Sequence, residues 1–296
     1  MIDLAKKTKD VTRSNKRSLW HDAWLRLKKN KSAVVGMVIM LVVVSLTFGA
    51  FLYLDYDEDV VKTDISKRLE FPSKGTLLGR DELGRDIFAR IMWGGRISLL
   101  AGIFSVIVSA SVGGSLGAIA GYYNKFDNII MRFCDVFMAI PGMLLTITIV
   151  SVLEPNIYNL IIALSIGGIP SQARLIRAQV LRIKELEFIE AAKAQGASDF
   201  RIIFQHIIPN AISPLISGYV MAVSGGIMGI SGLSFIGLGV QAPDPEWGAM
   251  LSSGRTFIRD VWHLTAFPGM AIMIVVRALT LVGDGLRDAL DPKMKS

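Results

Sequence analysis

The chain has 296 residues, 52% of them hydrophobic, and a mean hydropathy of +0.49; its apolar residues are gathered into long uncharged runs, which excludes an ordinary soluble domain. A formal charge of +7 and a pI near 9.5 fit the basic loops of a membrane protein better than a nucleic-acid surface. The single cysteine, Cys134, excludes an internal disulfide and reads as a buried, inert thiol in an apolar run.

Residues 1–32 are polar and basic and are followed by an apolar run too long for a signal-peptide core, so the run reads as a retained anchor. Within this tail, Leu19, Trp20, Ala23, Trp24 and Leu27 recur at helical spacing beside Arg26, Lys28 and Lys29, the pattern of a helix lying on a membrane surface. A bilayer core needs about 20 apolar residues per helix. Runs of that kind predict spans over 33–54, 97–122, 129–153, 157–175, 211–240 and 265–283, giving an all-α polytopic protein with one membrane domain over 33–296. With the N-terminus inside, the inner segments hold 21 Lys and Arg and the outer ones 10, which predicts an N-in, C-in arrangement.

Gly113, Gly117 and Gly121 in the second span, with Ala110, Gly114 and Ala118 beside them, form small-residue rows that allow close helix approach. Gly218, Ala222, Gly225, Gly226 and Gly229 repeat the device in the fifth. Pro141 should kink the third span. Arg132 and Asp135, three apart on one face, predict a local ion pair. Arg277, the one charge deep in a span, fits either a pathway wall or a side chain snorkelling to the nearer surface.

Enzymatic chemistry is poorly supported. His21, His206 and His263 lie in separate segments with no Cys/His set at metal-ligand spacing, and there is no Gly-x-x-x-x-Gly-Lys-Ser/Thr phosphate loop. Gly229-Ile230-Ser231-Gly232 matches the Gly-x-Ser-Gly of intramembrane serine proteases, but no later span supplies a histidine base; His263 is expected in an outer loop.

The segment over about 180–209 carries the strongest signal. A helix-forming run from Leu186 ends at Gly196, a natural C-cap; Ser198 can cap a second helix, which must stop or bend at Pro209. Phe188, Ile189, Ala191 and Ala192 are apolar on a prong expected in the cytosol, and burial against a partner would explain them. Glu190-Ala191-Ala192, then Gly196 after three intervening residues, and Pro209 beyond, resemble the EAA motif of binding-protein-dependent ABC importer permeases. His206 departs from the general motif but is similar to the peptide-importer branch. Leu78-Gly79-Arg80-Asp81-Glu82-Leu83-Gly84-Arg85-Asp86, Leu233 to Val240 with Trp247-Gly248, and Gly283 to Pro292 resemble three further signatures of the "C"-type dipeptide, oligopeptide and nickel permeases. Ile230 stands where many members have a glutamate.

The resemblance implies a type I ABC importer permease fold. It also implies a pore shared with a second, homologous permease, two cytoplasmic ATPase subunits holding ATP and Mg, and an extracytoplasmic solute-binding protein, all in the cell membrane among lipid. No cofactor, metal or nucleic acid is expected on this chain. Glu190, Ala191, Ala192, Gly196, Ala197, Asp199, His206 and Pro209 are the expected ATPase-coupling residues. Arg80, Asp81, Gly84, Arg85, Asp86 and Trp247 are expected in outer loops facing the binding protein, although Trp247 and Trp262 equally suit membrane-interface anchors. Pro141, Ser231 and Arg277 are pathway or gate candidates. Oligopeptides or dipeptides, moved by alternating access, are the expected cargo; nickel or another small solute is the alternative, and a secondary transporter is the rival from another class.

Overall fold

Five helices of the computed structural model are long and apolar enough to cross a bilayer, and a bent pair supplies a sixth crossing if it is counted as one span. The structure describes residues 19–212 and 215–290; residues 1–18 of the tail, and Asp291 and Pro292 of the C-terminal signature, lie outside them. The elements are α1 (Leu19–Lys29), α2 (Lys31–Phe48), α3 (Ile87–Tyr122), α4 (Asn124–Met138), α5 (Gly142–Leu153), α6 (Ile157–Ile183), α7 (Glu187–Ala194), a helical run α8 over 199–212, α9 (Ile216–Phe235), α10 (Trp247–Gly254) and α11 (His263–Leu290). Among the described residues the only β pairing is two isolated bridges, Ser73 with Thr76 and Arg80 with Asp86.

α3, α6 and α11 outrun the expected spans, whereas α2 ends at Phe48 and α9 runs only from Ile216 to Phe235, short of the expected 33–54 and 211–240. α3 has 36 residues, a rod of about 54 Å, because Asp86 caps it ten residues before the uncharged run begins, its Oδ1 accepting from the Ala89 N–H at 3.1 Å. α6 runs through Pro170 to Ile183, and α11 through Pro268 to Leu290. The third span differs in kind. Pro141 does not kink one helix; it separates two, α4 and α5, which meet at 85°. A residue before proline is driven out of the helical region and proline offers no N–H, so Ile140-Pro141 ends one helix and starts the next.

The expected Arg132–Asp135 pair is replaced by pairs between helices. Asp135 of α4 pairs with Arg174 of α6, and Asp127 takes Arg177 in a two-pronged contact at 2.5 and 2.6 Å.

α3 and α6 make the largest helix contact, and glycine sets their separation. A Cβ at Gly117 would lie 2.2 Å from the Ala173 carbonyl oxygen, and one at Gly113 would lie 2.5 Å from that of Ile169. Ser165 reaches across the same seam to donate to the Ser105 carbonyl at 3.2 Å. The fifth-span row behaves otherwise. Gly226 meets Gly102 of α3, but Gly218 and Gly225 have open space beside them among the described residues.

Replacing Gly117 with valine should therefore lower the apparent melting temperature of the purified subunit in detergent, by the equivalent of about 1–3 kcal/mol or more. Gly225→Ala should leave that temperature unchanged or slightly raised. A thermal scan of both variants checks the contrast.

Candidate functional site

Two polar assemblies lie at opposite ends of α3. At its C-terminal end stands the hairpin of α7 and α8. α7 closes as a Schellman turn: Gly196 has φ +78°, its N–H donates to Lys193 at 2.9 Å, and the Ala197 N–H donates to Ala192 at 3.1 Å. Ser198 then caps α8, as its sequence position predicts, through the Arg201 N–H. Pro209 neither stops nor breaks α8. The turns over Ile202–Ile207 widen to π geometry, the Ile208 N–H reaching back to Ile203, and the chain continues through Pro209 to Ile212. Widening moves the carbonyl that proline would strike and removes the need for its missing N–H.

The hairpin has its own core. Ile189, expected to need a partner, is fully buried with Ile202, Ile203 and Ile207 against Val180 and Ile183 of α6 and Ala118 of α3. Its largest exposed side chains are aromatic: Phe200 and Phe204 are 71% and 54% exposed, with tilted rings 4.4 Å apart, and Phe188 is exposed with its ring 6.5 Å from that of His206. Ala191, Ala192, Gly196, Ala197 and His206 line an open groove of about 410 Å³ together with Phe188, Gln195 and Arg201. Glu190 is exposed on the same helix. Asp199 departs from this set: it accepts from the Tyr122 hydroxyl at 2.7 Å and the Tyr123 hydroxyl at 3.1 Å and so faces α3.

At the other end a cap is folded from residues 50–86 and the segment around α10. The signature Arg80 to Asp86 is turned inward here, not toward a docking protein. Asp81 and Arg85 are buried and joined, Arg85 Nε to Asp81 Oδ2 at 2.7 Å, and the other Asp81 oxygen accepts the Leu83 and Arg85 N–H groups, both at 2.9 Å. Arg90 stands 3.6 Å from the same carboxylate and donates to the Val60 carbonyl at 3.0 Å. Arg80 donates to the Gly84 carbonyl at 2.7 Å. Gly84 has φ +78°, and a Cβ there would lie 1.8 Å from the Asp64 carbonyl oxygen, so no other residue fits the turn. Burial, and a hydrogen bond to the Asp244 carboxylate, push the Tyr56 hydroxyl up to about 12.

Trp247 is likewise neither a docking residue nor an interface anchor. It is 1% exposed and donates its Nε1–H to the Ile91 carbonyl at 3.0 Å. Beside it the sequence reading missed Glu246, a fully buried carboxylate. Its Oε1 accepts from Ser98 at 3.0 Å, and its Oε2 caps α10 through the Ala249 N–H at 2.9 Å. Trp262, in contrast, is exposed.

The remaining candidates separate. Ser231 is buried with its hydroxyl unpartnered among the described residues. His263 is not in a loop but opens α11, fully buried against Phe71 and Trp262, and makes no hydrogen bond to Ser231, so the two form no nucleophile–base pair. Arg277 is exposed midway along α11, beside an apolar groove of about 470 Å³ lined by Met228, Leu251 and Met273.

A bundle of five crossings, six if the bent pair is counted as one, with a helical hairpin folded onto one end and a polar cap on the other, has the layout of a multi-pass membrane protein. Residues 113–296 match the family described as binding-protein-dependent transport system inner membrane component, and residues 18–72 match the N-terminal TM domain of oligopeptide transport permease C. The chain belongs to this family of ABC importer permeases and is a multi-pass inner-membrane protein. It is 44% identical to the glutathione transport system permease protein GsiD of Pectobacterium atrosepticum, over 95% of this chain and 93% of that one. It is 45% identical to the dipeptide transport system permease protein DppC of Alkalihalophilus pseudofirmus, over 94% and 91% of the two chains. A chain of the inward-facing MetNI methionine ABC transporter shares the fold at a TM-score of 0.55 and 16% identity, covering 68% of this chain and 96% of that one.

Asp81→Asn should leave Arg90 buried without its ion-pair partner and Arg85 with only the longer contact to Glu82 at 3.7 Å. Removing one partner of such a group costs about 3–5 kcal/mol. A fall in melting temperature and in the amount of folded subunit recovered from membranes is the expected result.

Proposed function

We propose that this chain is the permease subunit of an importer for short peptides of the dipeptide or glutathione class, with the hairpin as the cytoplasmic docking element for an ATPase subunit. The observation that carries the docking role is the exposure of Phe188, Phe200 and Phe204 on the hairpin. Three phenylalanines exposed on a hairpin whose own core is already complete have no internal purpose, and apolar patches of this kind mark partner surfaces. The groove beside them provides a concave seat with Arg201 and His206 as its polar groups. The relatives named for glutathione and dipeptide transport support the cargo class. On this reading both chain ends are cytoplasmic, ATP and Mg stay on the ATPase subunits, and alternating access follows from rigid-body movement of the helices. The cap then faces the solute-binding protein with Phe71, Leu77 and Trp262, which are exposed, and not with the buried Asp81, Arg85 and Trp247.

Arg277 belongs to the passage on the same proposal. It stands about 20 Å from either end of α11, has no hydrogen bond or ion pair among the described residues, and is matched to a cargo that carries carboxylates. Exchanging Arg277 for glutamine should cut uptake of radiolabelled glutathione or dialanine at least fivefold, with lysine restoring most of it. Full uptake by the glutamine variant would return Arg277 to a snorkelling role.

Gly196→Asp tests the docking. Aspartate tolerates a left-handed backbone better than most residues and has open space here, so the hairpin should keep its fold. The variant should reach the membrane at normal levels while uptake is lost and ATP hydrolysis no longer follows it. Normal uptake would count against the hairpin as the docking element.

A further inference from the structure

Asp199 poses a problem for the docking surface. It opens α8, yet Ser198 already caps that helix, so its carboxylate is free for another task. Both of its oxygens are taken by consecutive tyrosines at the end of α3: Oδ1 by Tyr122 at 2.7 Å and Oδ2 by Tyr123 at 3.1 Å. The first arm of the hairpin reaches the same place, with the Lys193 ammonium 5.7 Å from the Tyr122 ring centre. Tyr122 and Tyr123 stand edge to face, 4.9 Å apart, and so form one unit. Just behind the hairpin, Lys184 donates to the Gly121 carbonyl at 2.9 Å and to Asn124 at 3.2 Å.

The far end of the same helix is fastened as firmly. A Cβ at Gly94 would lie 2.9 Å from the Pro245 carbonyl oxygen, and Ser98 and Ile91 hold Glu246 and Trp247. α3 is one unbroken helix between these attachments.

We propose that the Asp199–Tyr122–Tyr123 clasp is the coupling joint through which displacement of the hairpin is passed to α3, and through α3 to the cap. The inference rests on the docking role of the hairpin given above and adds the joint. The apolar contacts of the hairpin with α6 and α3 fix where it sits, but they are non-directional and permit sliding. A carboxylate held by two hydroxyls is directional, and it makes hairpin and rod move together. Asp199 and the two tyrosines act as positioning residues; they need touch neither ATP nor cargo.

The test uses the full complex, with its ATPase subunits, in proteoliposomes. ATP hydrolysis is measured with and without the binding protein, purified with whatever solute it carries. With both tyrosines replaced by phenylalanine, basal hydrolysis should stay within twofold of the parent, and stimulation by the binding protein should fall at least fivefold. Either single replacement should give a smaller loss, and Asp199→Asn, which keeps one acceptor oxygen, an intermediate one. Unchanged stimulation in the double variant would overturn the joint. So would loss of basal hydrolysis with dissociation of the ATPase subunits, which would reduce the tyrosines to holding the hairpin's fold. Failure of the docking reading itself appears separately, as a Gly196→Asp complex that remains fully coupled.

Discussion

The close approach of α3 to α6 is the contact on which the rest of the molecule depends. Lipid tails are as apolar as leucine, so helices in a bilayer gain little from hiding apolar side chains and must associate by packing and polar contact. Glycine at 113, 117 and 121 brings the α3 backbone against the α6 carbonyls, at distances that any side chain would prevent. The seam is continued by Ser105, Ser109, Ser165 and Gly168, small enough to keep the helices together along their length. Two neighbours take their positions from this pair: α9 packs on α3 through Gly102 and Ile227, and α5 packs on α6 through Val150, Leu160 and Ala163.

Because α3 is so long, one rigid body carries both polar assemblies. The cap is built on its first turns and the hairpin on its last. The charges in the cap are internal. Asp81, Arg85 and Arg90 are buried and compensate one another, with backbone groups taking the remaining lone pairs and protons, which is the condition under which burying charge is tolerated. The hairpin works the other way. Ile189, Ile202, Ile203 and Ile207 are consumed internally, and Phe188, Phe200 and Phe204 are left over. A partner surface is thus recognisable by what remains exposed after the local core is complete, not by hydrophobicity alone.

Much of this was legible in the residues. Uncharged runs located the spans, Gly196 and Ser198 marked the hairpin turn, and the glycine row of the second span marked the tightest seam. The errors have physical causes. Span ends were set where charges begin, but capped helices such as α3 and α11 continue past them, since a helix does not stop at a membrane boundary. The second helix of the hairpin was expected to stop or bend at Pro209 and does not stop there, because the widened turn that accommodates the proline leaves no mark in the sequence. Arg80 to Asp86 were expected to face the binding protein because the segment resembles an outer-loop signature, and only tertiary contacts show Asp81 and Arg85 folded inward. Glu246 and the Asp199–Tyr122 contact were invisible for a related reason: their partners lie 148 and 77 residues away.

The bent third span shows which interactions hold an awkward element in place. α4 is tied to α6 by two ion pairs of unequal worth. Arg174 and Asp135 are both about half exposed, and a pair of that kind contributes about 0–1 kcal/mol. Arg177 and Asp127 are less exposed and meet through two hydrogen bonds, a geometry that fixes orientation as well as distance. α5, beyond the break, has no such pairs among the described residues and is held by Thr146 and Val150 packed on α6. The two limbs are therefore anchored to one helix by different means. Pro141 decouples their directions, which lets the apolar limb follow α6 while the amphipathic limb turns across the bundle end, its charges on α6 and its Ile129, Phe133 and Val136 exposed. A continuous helix through 129–153 could not satisfy both sets of contacts, and that is the physical reason the break falls at Ile140-Pro141.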